Sequence, residues 1–472
     1  MSQPCIRCGY AVATSRDLPN SVAVVCAECS SKSRKRLLLA GGIGLVVAGV
    51  VVVFLYREIR LSAVPRIRMP FADMQAVDRI LPTDNAFREY DAASLTAEPK
   101  GVLAPRDDWN SVPEAWRIWL EENRFALLLI EAGAGKPSAM VCLPHEQTYT
   151  SMLSVAHHRS LHNLTLLEAS RCRAIGRHTE AWRWLRIAFR HSRHCGMHAM
   201  HLNRLIGAAF HSQAVQAIMI WSESADVDSE FLQRAWLDIR KDFAMTLRPS
   251  ETLCNQYYFE RNTFEFRLRS SGVEFFRPER NPQNPVKAWL DCEPERGLRL
   301  IDLVYANWRQ QIDLPRRVQS LLPGSQFGLF VNSADKDNPV DAETLERWCL
   351  SSSVARNFLR YNSAFPKSLR TETTLQGLLE VSFAARIYFH RNRRFPASPG
   401  DLEHLLPDGW PEDATSDSPE GLSYRCENDG LSAVIWCAGY DGDNDGGNID
   451  TQPNDESYDL GFRLKALNAR GK

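Results

Sequence analysis

LLLAGGIGLVVAGVVVVFLY, running from Leu37 to Tyr56, decides how the rest of this chain is read. It is an uncharged, almost wholly apolar run of 20 residues, and as a helix it spans about 30 Å, the thickness of a bilayer's hydrocarbon core. The competing reading is a buried helix of a soluble protein. The Val-rich stretch from Gly44 to Val53 and the charged flanks disfavour it. A cleaved signal peptide fits poorly too, because 36 residues precede the run and no small-x-small site follows it. The expectation is one retained membrane span at 37–56.

Basic residues set its direction. Lys32, Arg34, Lys35 and Arg36 crowd the amino side, with Arg7 and Arg16 further out, against Arg57, Arg60, Arg66 and Arg68 beyond the run. The positive-inside rule then puts the amino terminus in the cytoplasm and the large carboxy-terminal body on the exoplasmic side of a bacterial inner membrane. The cluster at Lys32–Arg36 is better read as a topology signal contacting anionic lipid than as a nucleic-acid patch.

Residues 1–36 carry Cys5-x2-Cys8 and, after seventeen residues, Cys26-x2-Cys29. That is the ligand count and spacing of a closed four-cysteine zinc ribbon, in which Zn2+ supplies the folding free energy that so short a segment cannot gain from a core. Unmetallated thiols and a thioredoxin-type dithiol are the alternatives, and no βαβ pattern supports the second. A reducing cytoplasm agrees with free thiolates at this end.

Outside the span the chain is ordinary. It has 472 residues, 44% apolar and 24% charged, with 56 basic and 57 acidic side chains and a formal net charge of -1. So neutral a chain has no global field to collect a polyanion, and no nucleic-acid partner is expected. Residues 57–100 are polar and proline-punctuated, with Pro65, Pro70, Pro82 and Pro99, and read as a stalk. Residues 101–370 read as an all-α domain. Trp116, Trp119, Leu120, Phe125, Leu128 and Leu129 recur at helical spacing, and Leu161–Ile175 and Thr179–His194 form a hairpin about Gly176-Arg177-His178. Further helices are predicted at Met200–Ser222, Ser229–Thr246, Leu298–Leu314 and Ala342–Tyr361.

Two features of this domain invite chemistry. Glu131 to Ser138 has the look of a phosphate loop, but Ile130 and Pro137 stand where a Walker A needs Gly and Ser or Thr. His191, His194, Cys195, His198 and His201 would share about 120° of arc on a continuous helix, a face able to ligate zinc or copper. Gly196 threatens that continuity, no carboxylate sits in the motif, and solvated or hydrogen-bonded histidines are the plainer reading. The lone Cys142, Cys172, Cys254, Cys292 and Cys349 read as small buried side chains, although an exoplasmic location permits some disulfides.

Residues 371–472 change character. Leu375–His390 is an apolar-striped helix, and the strands Leu422–Cys426 and Leu431–Cys437 flank the turn Glu427-Asn428-Asp429-Gly430. Asp441-Gly442-Asp443-Asn444-Asp445-Gly446-Gly447-Asn448-Ile449-Asp450 then sets acidic oxygens on alternate residues, a loop suited to Ca2+. Against an EF-hand, Gln452 stands at the place of the bidentate Glu; a solvated acidic turn is the alternative.

Three resemblances attach to these residues. Cys5 to Cys29 is similar to four-cysteine zinc ribbons. The stretch from Trp116 to Phe210, with Leu120-Glu121-Glu122-Asn123 and Gly176 to Trp182, resembles membrane-anchored proteins of planctomycete-type bacteria, which carry no known activity; its hairpin is loosely similar to tetratricopeptide units. The order helix, Arg394 to Ser398, Asp417-Ser418-Pro419, hairpin and Ala438 to Gly442 resembles the carboxy-terminal domain of the type II secretion major pseudopilin. That last resemblance implies calcium at Asp441, Asp443, Asp445 and Asp450. The prepilin leader is missing and about 300 residues separate span from module, which speaks against assembly into a pseudopilus.

The fold class expected is therefore multidomain: a zinc ribbon, one transmembrane helix, an all-α middle and an α+β pseudopilin-like end. No complete catalytic signature appears, so a binding or scaffolding protein that engages other envelope proteins is expected. An exoplasmic metal-dependent hydrolase built on the His-rich helices is the alternative.

Overall fold

The computed structural model describes residues 2–4, 11–13, 26–74, 80–97, 109–147, 154–271, 289–290, 292–331, 340–359, 364–416, 421–439, 442–449 and 459–466. About 65% of the described residues are helical, and a small three-stranded antiparallel sheet lies near the carboxy terminus. It divides into two compact units, residues 1–65 with 276–296 and residues 66–275 with 297–472.

In the first unit, β1 (Ser2–Pro4) pairs antiparallel with β2 (Ala11–Ala13), Gln3 opposite Val12. The connection, residues 5–10, carries Cys5 and Cys8, which lie outside the described residues. α1 (Ala27–Ser62) is a single continuous helix, longer at both ends than the apolar run inside it. Its Cys29–Ser62 portion contains a window of mean hydropathy 2.8, none of it buried, and is long and apolar enough to cross a bilayer. Leu38, Leu45 and Val52 are all more than 60% exposed. Where the apolar run ends, the Arg57 guanidinium lies 4.1 Å from the Trp289 ring centre and its Nε donates to the Cys292 Sγ at 3.3 Å, while Phe54 meets Trp289 edge-on at 6.3 Å.

The second unit is a helical body. Within the stretch read as a stalk, α2 (Phe87–Thr96) buries Phe87, Tyr90 and Ala93. The tryptophan-rich pattern breaks at Asn123 into α3 (Glu114–Glu122) and α4 (Arg124–Ala134). α5 (Val155–Ala174) and α6 (His178–Gly196) form the expected hairpin, with Gly176 at φ +75° in the turn, a conformation that costs glycine nothing. α7 (His201–Ser222), α8 (Ser229–Phe243) and α9 (Pro249–Ser271) follow, the last without a counterpart in the sequence reading. α10 (Glu293–Gln311), α11 (Ala342–Ser351) and α12 (Ser353–Phe358) come next, the last two divided at Ser352, whose hydroxyl accepts from the Ala355 N–H and caps α12.

α13 (Ala364–Asn392) starts well before the helix expected there and packs on α7, α8 and the sheet. The sheet runs β3 (Ser423–Glu427), β4 (Ser432–Cys437), β5 (Leu460–Lys465), all antiparallel, with Tyr424 opposite Ile435 and Ile435 opposite Phe462. β4 is buried along its whole length. Asn428, Asp429 and Gly430 close the β3–β4 hairpin with positive φ at all three, the residues that tolerate that region best. One apolar core continues from Phe87 and Trp119 through Leu185 and Ile218 to Leu379, Ile435 and Leu464. The helical middle and the α+β end thus share their interior.

Candidate metal centre

Among the described residues, one group of three metal-ligating side chains comes together: His158, His191 and Cys195, all buried. Two helices build it. His191 and Cys195 stand four residues apart on α6 and so share a face, while α5 brings His158 from the other arm of the hairpin. His158 Nδ1 lies 3.1 Å from His191 Nε2, and Cys195 Sγ lies 3.7 Å from the first and 3.5 Å from the second. The two rings are nearly coplanar, at 15°, with centres 5.4 Å apart. That separation is the nitrogen–nitrogen distance plus one ring radius on either side, so the nitrogens face each other along the line of centres. Without an ion, one imidazole N–H donates to the other.

The surroundings are aromatic and buried. Tyr90 on α2 meets His191 edge-on at 4.7 Å and hydrogen-bonds its hydroxyl to His194 Nδ1 at 2.8 Å. His162, one turn beyond His158, stacks on Phe210 at 4.5 Å. Burial holds the His158 imidazole down at about 4 and that of His191 well below the usual histidine range, with the neighbouring histidines adding to the effect, and it pushes the Cys195 thiol up. All three are neutral at physiological pH. His191 Nδ1 is buried without a hydrogen-bond partner. His158 also lines a cleft of about 630 Å³ together with Phe87, Arg88, Asp91, Cys142 and Glu146.

The shared histidine face, conditional on one continuous helix, does not form, and the break comes at Gly196 where the sequence placed it. α6 ends at Gly196, His198 takes φ +45°, and a new helix begins at His201. His201 turns away to stack on Phe365 at 3.9 Å. Of the plainer reading, solvated or hydrogen-bonded histidines, the second half describes His194, which Tyr90 bonds; His191, His194 and His211 are fully buried and His201 is partly buried. His158 escaped the sequence reading because its partner is 33 residues away on another helix; the only local signal was that α5 carries histidines at 158 and 162, one turn apart.

On the next faces of α6 and α7, Arg193 and Arg204 clamp Glu372 of α13. Arg193 Nη2 donates to Glu372 Oε1 at 2.5 Å and Arg204 Nη1 to the same oxygen at 3.0 Å, with Arg204 Nη2 on the other oxygen. This buried trio joins three helices and is structural.

Of the four cysteines expected to hold zinc, Cys26 is the N-cap of α1, its Sγ accepting from the Cys29 N–H at 3.3 Å, so the second pair forms the first turn of that helix. Cys5 and Cys8 lie outside the described residues. So do Asp441 and Asp450 of the acidic loop. Asp443 and Asp445 are exposed on it. Asn444, also exposed, accepts from Trp436 Nε1 at 2.9 Å, and Asp459, which the sequence reading passed over, accepts from the N–H groups of Asp445 and Gly447 at 3.1 and 2.7 Å. Arg425 donates to the Gly446 carbonyl at 2.7 Å.

No family model matches this sequence, and neither the curated proteins nor the solved structures contain a match to it.

Proposed function

We propose that this chain is a single-span, membrane-anchored envelope protein whose exoplasmic body binds or scaffolds other proteins, with a small zinc ribbon on the cytoplasmic side. The observation that carries this reading is α1, a helix whose Cys29–Ser62 portion is strongly apolar and has no buried window. Exposing that much apolar surface to water is unfavourable by about 25 cal/mol per Å²; a bilayer removes the cost. Arg57 and Trp289 at the end of the apolar run support it, being the residue types that sit at headgroup level. The ribbon reading is supported by the Cys26 Sγ and Cys29 N–H contact, the backbone-to-sulfur bond of a tight CxxC turn. The pseudopilin-like end is supported by its helix and antiparallel hairpin, followed by a loop with two exposed aspartates.

Protease added to intact spheroplasts tests the topology. Digestion of the body with survival of a protected fragment holding residues 1–56 is the expected outcome; a body that survives until the cells are lysed would reverse the orientation. Two metal predictions accompany it. Chelating zinc should speed thiol labelling of Cys5, Cys8, Cys26 and Cys29, and equal rates with and without zinc would remove the ribbon. Millimolar Ca2+ should raise the melting temperature of the detergent-solubilised chain, an effect lost in the double variant Asp443→Asn, Asp445→Asn, because an ion that binds only the folded state stabilises it.

A further inference from the structure

We propose that His158, His191 and Cys195 form a three-coordinate site for a monovalent soft metal ion, Cu+, inside the helical body. The three donor atoms are separated by 3.1, 3.5 and 3.7 Å. A point in their plane lies about 2.0 Å from all of them, close to the length of a late first-row metal–imidazole bond. The two nitrogens therefore sit at bonding distance before any backbone movement, and the sulfur has to draw back by about 0.3 Å to reach a metal–thiolate length. The rings need only swing so that the two nitrogens, now aimed at each other through a shared proton, aim at that point instead.

Charge selects among the metals that accept imidazole and thiolate. On binding, Cu+ displaces the Cys195 thiol proton to solvent, and the resulting thiolate with two neutral imidazoles makes a neutral assembly, whereas Zn2+ would leave a net positive charge buried with no carboxylate among the clustered ligands. A buried uncompensated charge is strongly unfavourable. A closed Zn2+ site also takes four protein ligands, and among the described residues the cluster supplies three. Soft thiolate with imidazole suits Cu+, which accepts three. His158 lies at once in the ligand set and in the wall of the 630 Å³ cleft, which gives an ion a way in. This site does not depend on the anchor, the ribbon or the acidic loop.

The test uses the full-length protein in detergent with Cys5, Cys8, Cys26 and Cys29 all replaced by Ser, so that ribbon thiolates do not contribute, and Cu+ supplied anaerobically in competition with a colorimetric Cu+ chelator. One Cu+ per chain should be retained, with X-ray absorption showing two nitrogen neighbours and one sulfur. Cys195→Ser and His158→Gln, each checked for unchanged helical circular dichroism, should lower retention at least tenfold. His158 is at the cleft wall, so its variant keeps the test decisive if Cys195→Ser fails to fold. Failure of the four-Ser protein to retain Cu+, retention that survives both substitutions, or tighter binding of Zn2+ than of Cu+ would each overturn the assignment.

Discussion

Glu372 shows how this interior tolerates charge. Burial alone would push its carboxyl up, but Arg193 and Arg204 outweigh that and hold it down at about 2. The pair interactions are fully present above the ordinary glutamate range near 4.5 and are lost only as pH falls from there through about 2. Glu372→Gln leaves two buried guanidinium groups facing a neutral amide and is expected to lower stability by about 3–5 kcal/mol, read as a drop in the denaturation midpoint of the detergent-solubilised chain. His201 works in the opposite chemical sense but with the same pH sign. Burial lowers it to about 3, so below about 6.5 the unfolded chain takes up a proton that the folded one refuses. Each unit of pH below that range removes about 1.4 kcal/mol per such histidine. The melting temperature should fall between pH 7 and pH 5, and His201→Leu should make that fall shallower; an unchanged slope would show that His201 is not held neutral.

At the scale of elements, the α6–α7 crossing depends on Gly207. A Cβ there would stand 2.7 Å from the Ser192 carbonyl oxygen and 3.0 Å from the Gly196 nitrogen, contacts with backbone that cannot rotate away. Gly207→Ala is expected to destabilise by about 1–3 kcal/mol, lowering the thermal midpoint while leaving the helical signal intact below it. The helices that the sequence made legible are those with one apolar stripe. α6 carries Trp182, Leu185, Ala188 and Phe189 on a single face, and α8 carries Leu232, Ala235, Trp236 and Ile239. α9 was missed because it buries Thr252, Asn255 and Thr263 among its aromatics, so no stripe of hydrophobicity stands out. The Asn428–Gly430 turn could be read directly, since three successive positive φ values demand such residues. β5 alternates Leu460, Phe462 and Leu464, yet its pairing with β4 is a tertiary fact that no turn announces. The candidate metal centre divides the same way. His191 and Cys195 are visible as a helical i, i+4 pair, whereas His158 joins them only through the packing of α5 on α6.

For the whole molecule, one core runs from the helical middle into the α+β end. α13 buries Leu378, Leu379, Val381 and Phe383 and packs against α7 and α8 as well as β4 and β5. A fragment beginning at residue 371 would present that helix's apolar surface to water, so it is expected to aggregate or to melt without a cooperative transition; a sharp melting curve from this fragment would show an independent domain. Residues 371–472 looked separable because composition changes there, and composition carries no information about which surfaces meet. The membrane assignment, by contrast, rests on local sequence alone, on length and apolarity within one helix. It is tested most directly by extracting membranes from cells making the full-length chain. The protein should stay in the pellet through high salt and alkaline carbonate and enter solution only with detergent, and deleting residues 37–56 should release it. Recovery of the intact chain in the soluble fraction without detergent would contradict the anchor and every assignment of sides that follows from it.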